Sequence, residues 1–385
     1  MLLVARKNLF SERTRLAISV GGVALSVFLI SLLLSLYRGW DSKVGEFVQK
    51  SNVDIWIASE GSKDFASAAS LLPTEGQQAQ QAQQYLNNNS DVEEWSPMIV
   101  RPLLGVRVDK VGTADENLST DMNLQFVGFD TATRLGGPIK VVEGKDTPGP
   151  GEVIVDSALA KRYGLNVGDT LRAGGKDWKV VGRSEFGDFV FSQTVFVTHD
   201  EAQAVLSMKG LTTFYVLKLK PGVDAVKFAA DINKQGQQIV AYTHDQFAAN
   251  TRERILGDVL PILAVVLGLA FVVGLAIAGL TIYTATIEKS REFGIIKAVG
   301  FKNSYLYRLV FEQSVVTGIL GFIVGLTLTL VIGPFASNLV PQFVLFTRWQ
   351  DVLVVAGATI LMALLAAYIP IRRLTAIDPV AAFKA

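Results

Sequence analysis

The chain has no cysteine, which rules out disulfides, thiolate metal ligands and a cysteine nucleophile. Histidine is nearly absent: His199 and His244 are the two, and neither has a second histidine at ligand spacing. His199 opens the run His199-Asp200-Glu201, where a helix cap or a surface position is the expectation. No GxxxxGK loop followed by Ser or Thr occurs, so ATP binding through that motif is excluded, and no HExxH is present. The nearest approach to a nucleophile elbow is Gly182-Arg183-Ser184-Glu185-Phe186-Gly187. Its second glycine stands one place late and the segment reads as a turn. Asp and Glu are scattered without a recognisable pair. No catalytic residue, metal or cofactor is therefore assigned to the chain. Charge is also scarce, at 18% of 385 residues and a net +1, which removes any global electrostatic case for nucleic acid.

Half of the residues are hydrophobic, and they concentrate in four runs long enough to cross a bilayer core of about 30 Å as helices. The spans are placed at 16–37, 256–287, 309–333 and 351–370, the last ending at Pro370. None carries a central charge; Glu312 stands near the start of the third, where a helix N-terminus favours a carboxylate. Arg6, Lys7, Arg13 and Arg15 precede the first span, Lys289, Arg291, Lys297, Lys302 and Arg308 lie between the second and third, and Arg372, Arg373 and Lys384 follow the fourth. Basic residues mark cytoplasmic loops. Residues 1–15, 288–308 and 371–385 are thus expected inside, and 38–255 with the short 334–350 loop outside. Trp40 and Trp349 fall where interfacial tryptophans are expected. The first run is too long for a signal peptide, and SLYRGWD after it offers no small-x-small cleavage site.

The fold class expected is an α-helical membrane protein of four spans with a large α+β extracytoplasmic domain inserted between the first and second. In that domain VDIWIAS (53–59) alternates like a strand, and Thr74–Asn89 has good helix formers before an asparagine stop. Further strands are expected at 103–108, 123–128, 152–155, 178–184, 194–198 and 214–220, and helices at 157–163, 200–206 and 223–234. GLNVGDTLRAGGKDWKVVGRS (164–184) reads as turn, strand, glycine-rich turn, strand, a small-barrel pattern. Two subdomains are open to the reading, with Pro148–Gly151 as a boundary candidate.

EKSREFGIIKAVGFKN (288–303) is short, charged and helix-like. Glu292, Ile295, Ile296 and Val299 share one face at helical spacing, and Gly300 stands where a left-handed residue would end the helix. Two pairs of small residues, Gly22 with Ser26 and Gly321 with Gly325, allow close helix approach in lipid, between copies or within one.

Residues 288–330, EKSREFGIIKAVGFKNSYLYRLVFEQSVVTGILGFIVGLTLTL, resemble the permease signature of the FtsX/MacB-type ABC transporter family (type VII, mechanotransmission-type). IRRLTAIDPVAAFKA (371–385) is similar to the family's C-terminus, and GEVIVDSALAKRYGLNVGDTL (151–171) resembles its periplasmic core domain. The resemblance implies a homodimeric permease of a bacterial cytoplasmic membrane, docked on two ATPase subunits that bind ATP and Mg. Residues 288–300 would be its coupling helix, with Glu288, Arg291, Glu292, Gly294, Lys297 and Gly300 shaping the contact. The N-terminal piece 4–16 would add a second contact. Gly294 would permit close approach to the partner. The substrate implied is hydrophobic or amphipathic (a drug, peptide, lipid, lipoprotein or haem), exported or extracted at the outer leaflet by mechanotransmission. Tyr37, Trp40, Glu46 and Val259 mark the expected outer contact zone. An adaptor or outer protein is a further partner the resemblance allows. The alternative is a signalling permease that activates an outer hydrolase and moves no substrate. A membrane-anchored enzyme is the third reading, disfavoured for want of a catalytic constellation.

Overall fold

A computed structural model describes residues 13–65, 70–108, 122–234, 238–299, 301–340 and 343–375. Two compact units form: Met1–Gly39 with Leu260–Ala385, and Trp40–Val259.

The first unit is built from α1 (Arg13–Val44), which continues past Gly39, and from α8 (Leu260–Glu288), α9 (Ser290–Ala298), α10 (Asn303–Leu339) and α11 (Trp349–Thr375). Four of these, α1, α8, α10 and α11, are long and apolar enough to span a membrane. They overrun the expected bounds because helices need not stop at the apolar edge. The chain also passes Pro334 in α10 and Pro370 in α11 without leaving the helix. Pro370 was expected to end the last span; in transmembrane helices neighbouring groups satisfy the backbone a proline frees. Glu312 is corrected similarly: α10 begins at Asn303, so the carboxylate lies well inside it and pairs with Arg308 at 3.0 Å.

Small residues decide how the spans meet. On α8 the buried positions Ala270, Gly274, Ala278, Ile282 and Thr286 recur every four residues. A Cβ on Gly274 would stand 2.4 Å from Ser26 Oγ, and one on Gly22 2.2 Å from Ile277 Cγ2. A Cβ on Gly325 would stand 2.5 Å from the Ala24 carbonyl oxygen, and one on Gly321 2.6 Å from Val23 Cγ1. Both small-residue pairs are thus consumed inside one chain, where α8 and α10 clasp α1. Of the two expected uses, close approach within one chain accounts for the space beside both pairs.

In the second unit, α2 (Glu46–Lys50), β1 (Ile55–Ser59), β2 (Leu72–Pro73) and α3 (Gln77–Asn88) come first. They are followed by β3 (Val92–Arg107), β4 (Met122–Phe129), β5 (Lys140–Gly144), β6 (Glu152–Asp156), α4 (Ser157–Tyr163) and β7 (Thr170–Ala173). The rest are β8 (Lys176–Glu185), β9 (Gln193–Thr198), α5 (His199–Val205), β10 (Leu211–Thr212), β11 (Phe214–Leu219), α6 (Ala225–Lys234), β12 (Ile239–Thr243) and α7 (His244–Gly257). Strands β12, β1, β11 and the first half of β3 lie side by side, all antiparallel. With α3 and α6 they make a βαββαβ unit of ferredoxin-like order. Its β1 is apolar on both faces because α3 and α6 cover Ile55 and Ile57, whereas Phe47 and Phe247 cover Trp56. Trp56 and Phe247 stack at 4.5 Å.

Between β3 and β11 a second substructure is threaded. Strand β3 pairs with β4, β4 with β9, β9 with β6, β6 with β8, β8 with β7, and β7 returns to β3. The ladder closes on itself, a six-stranded barrel filled by Leu124, Phe126, Val153, Leu171, Trp178 and Val195 among others. The hairpin from β7 to β8 turns on Gly174 and Gly175, at φ +60° and +76°, a conformation that favours glycine in two-residue hairpin loops. Pro148–Gly151 is corrected as a subdomain boundary: it is a turn inside the barrel substructure, leading into β6. The division instead falls within β3, between Met98, paired with Phe214, and Ile99, paired with Gly128.

Candidate functional site

Glu288 is the last residue of α8, and after the single non-helical Lys289 the chain enters α9. The Lys289 amide donates to Ala285 O at 3.2 Å and the Phe293 amide to Lys289 O at 2.9 Å, so the break is a corner without a slack linker. At the far end Val299 donates to Ile295 O and Phe301 to Ile296 O. Gly300 lies outside the described residues, as do residues 1–12 and 376–385.

Phe293, 6% exposed, packs with Leu306 and Val310 of α10, and Ile296 leans on the same cluster. That apolar edge ties α9 to the span behind it. The opposite edge is open: Arg291, Glu292, Ile295 and Val299 are exposed, the last at 72%. Two bare aliphatic side chains thus lie beside an acid and a base on the open edge of a short helix. Gly294, expected to permit close approach to a partner, is buried within this chain. Lys297 is half-buried and engaged within the chain.

The four outer positions fare differently. Glu46 is engaged within the chain: its carboxylate oxygens meet Lys43 at 2.8 Å and Lys50 at 3.0 Å. Burial pulls its carboxyl upward, but the two lysines outweigh that and hold it below the usual range. Trp40 is half-buried with its ring 5.1 Å edge-on to Phe191. Tyr37 and Val259 are half-buried.

A linkage that sequence reading missed is the bond between Arg38 and Asp351. Asp351 is 3% exposed, takes Arg38 Nε at 3.1 Å, and accepts the Arg348 amide at the start of α11. Beside it Ser35 and Thr347 hydroxyls meet at 2.8 Å, and Phe346 donates to Ser35 O. Gly39 leaves room for the Val344 carbonyl, which any Cβ there would strike.

In the second unit a row of polar side chains crosses four strands: Gln125, Thr194, Asp156 and Ser184, all nearly inaccessible. Asp156 accepts from Ala158 N at 2.7 Å and Gly187 N at 2.8 Å, and Thr194 Oγ1 donates to Gly187 O. Burial pushes the Asp156 carboxyl up to about 6, despite those two amides. His199 is corrected: Thr198 is the cap of α5, while the imidazole is mostly buried and desolvation lowers its pKa. Among the described residues no group of three His, Asp or Glu could hold a metal.

Against known proteins, residues 16–235 match the family described as MacB-like periplasmic core domain, and residues 264–379 match FtsX-like permease C-terminal. An uncharacterised ABC transporter permease of Mycobacterium bovis is 25% identical, the match covering 100% of this chain and 99% of that one. A probable export ATP-binding/permease protein of Pseudomonas fluorescens is 21% identical over 97% of this chain and 58% of its own length. The periplasmic region of MacB from Actinobacillus actinomycetemcomitans covers 53% of this chain and 94% of its own, at 12% identity and a TM-score of 0.35.

Proposed function

We propose that this chain, which belongs to the MacB/FtsX-type ABC transporter permease family, is the mechanical half of a transporter whose ATP and Mg sit on separate ATPase subunits. It is a multi-pass membrane protein. The observation that carries the reading is α9: anchored behind by Phe293 and Ile296, open in front at Arg291, Glu292, Ile295 and Val299. A push on that front face cannot be absorbed by a loop, since a single residue separates α9 from α8. The basic residues flanking the spans put α9 and both termini in the cytoplasm and the second unit outside. Two copies would pair for two ATPases, and α8, the least covered span with Ile262, Val265, Leu269 and Leu280 bare, offers a face for the second copy. Spans free of central charge suit a hydrophobic or amphipathic substrate moved by coupled motion, since a polar solute would need polar lining.

The test is co-expression with the ATPase encoded beside this chain, affinity purification, and ATP hydrolysis in lipid. Glu292→Lys and Ile295→Glu alter exposed side chains, so folding is expected to survive while ATPase capture or coupling is lost. Wild-type behaviour in both variants would make α9 a surface helix and end the transporter reading. Stimulation of hydrolysis by an amphipathic substrate favours transport, whereas an obligatory outer hydrolase favours signalling.

A further inference from the structure

Helices α10 and α11 enclose an apolar groove of about 380 Å³, lined by Phe311, Val315, Ile319 and Phe322 on one side and Ile360 and Leu364 on the other. The one hydroxyl in its wall, Thr359, is satisfied by donating to Val355 O at 2.8 Å, so the wall shows no unmet polar group. In water such a groove would seek a protein; within an apolar span its solvent is lipid.

Both walls end in an arginine. On α10, Arg308 stands one turn before Phe311, on the row that continues through Val315 and Phe322. On α11, Ile360 and Leu364 are followed at four-residue steps by Tyr368 and Arg372. The two helices run antiparallel, with Gly318 against Ala363 and Thr359. About three turns from that crossing toward the start of α10 lies Arg308, and about three toward the end of α11 lies Arg372. The arginines therefore share the groove's basic end. Arg308 is 67% exposed and bonds Glu312 through Nε, which leaves its outer guanidinium edge in reach of a ligand. Arg372 is exposed and lies over the Tyr368 ring at 5.6 Å.

We infer that this groove binds one anionic glycerophospholipid, an acyl chain between α10 and α11 and its headgroup phosphate at Arg308 and Arg372. Guanidinium groups match phosphate geometry, and basic pockets between spans attract anionic lipid. The site rests on the span assignment, with the leaflet following from the basic flanks. It does not rest on ATPase coupling, so failure of the α9 variants leaves it standing.

The full chain is reconstituted in nanodiscs of equimolar phosphatidylcholine and phosphatidylglycerol, extracted gently, and its retained lipid identified by native mass spectrometry. Wild type is expected to retain phosphatidylglycerol preferentially. Arg308→Gln and Arg372→Gln should each cut that preference about fivefold, the equivalent of about 1 kcal/mol per basic residue, while still retaining lipid. Ile360→Trp, at a position 59% exposed and so harmless to the fold, should expel both lipids. No preference in wild type, a preference that survives both arginine changes, or retention unaffected by the tryptophan would each overturn the site. A dimer that carries no lipid would also overturn it, showing a second copy in the groove.

Discussion

Replacing Gly325 by Ala tests how α1 and α10 meet. The new methyl would lie 2.5 Å from the Ala24 carbonyl oxygen and 2.7 Å from Val27 Cβ. One obstacle is backbone, so no rotamer change relieves it. The helices must part by the better part of an ångström, which forfeits a quarter to a half of the dispersion energy at each separated contact. Overpacking of this kind costs about 1–3 kcal/mol, against which alanine returns about 1 kcal/mol of helix propensity. A net loss of about 1–2 kcal/mol is expected. Gly268→Ala, where nothing lies within 4 Å of the added carbon, keeps the propensity gain without the clash and should stabilise. The assay is thermal unfolding of the full chain in one detergent, followed by tryptophan fluorescence. If both variants shift the midpoint in the same direction, the packing of α1 in this structure is wrong. A Gly325 variant that merely dissociated dimers would instead show a concentration-dependent midpoint.

Arg38→Ala strands the buried Asp351 carboxylate with only the Arg348 amide, and should lower the unfolding free energy by about 2 kcal/mol on a denaturation curve. Asp351→Asn in the same background should recover part of that loss. Asp156 makes stability depend on pH. Its native pKa of about 6 exceeds the 3.8 of the unfolded chain, so the folded state holds the proton more tightly between those values. Its contribution therefore improves as pH falls from 7 toward 4, by up to about 3 kcal/mol. The difference in stability between wild type and Asp156→Asn should tilt in that direction on chemical denaturation; a flat difference would refute the burial argument. Phe293→Ala, which empties an anchor of α9, should cost about 3 kcal/mol and weaken ATPase coupling without altering any exposed residue of its open edge.

Much of this was legible because apolar runs and alternation are local signals. The four spans, the strands at Ile55 and Thr194 and the helix at Gln77–Asn88 follow from short windows. Residues 92–102 of β3 did not, because Glu93, Glu94, Pro97 and Pro102 argue against a strand. Those prolines are tolerated since Pro97 belongs to the stretch laddered to β11 alone and Pro102 to the stretch laddered to β4 alone. Strand β5 is exposed, polar-flanked and held only by β8, so no burial pattern announces it. Barrel closure and the Arg38–Asp351 bond join residues far apart in sequence, where no window reaches. For α9 the amphipathic spacing was readable, but which edge faces inward was not: Gly294 suggested outward contact until Phe293 fixed the rotation.

The shared strand has a mechanical consequence. Because β3 belongs to both halves of the outer unit, and Thr212 and Thr213 both bond to Met98 O where the chain crosses back, the barrel has no hinge of its own at that joint. The same residues that cover Trp56 from one side, Phe65 and Phe214, share a core with Ile154, Val181 and Phe196 of the barrel. Excising the barrel would bare that core, and bending it away would tear it. The outer unit should therefore respond to load as a single stiff body, unfolding in one calorimetric step despite its two-part topology. In a single-molecule pull it should yield one rip in place of two.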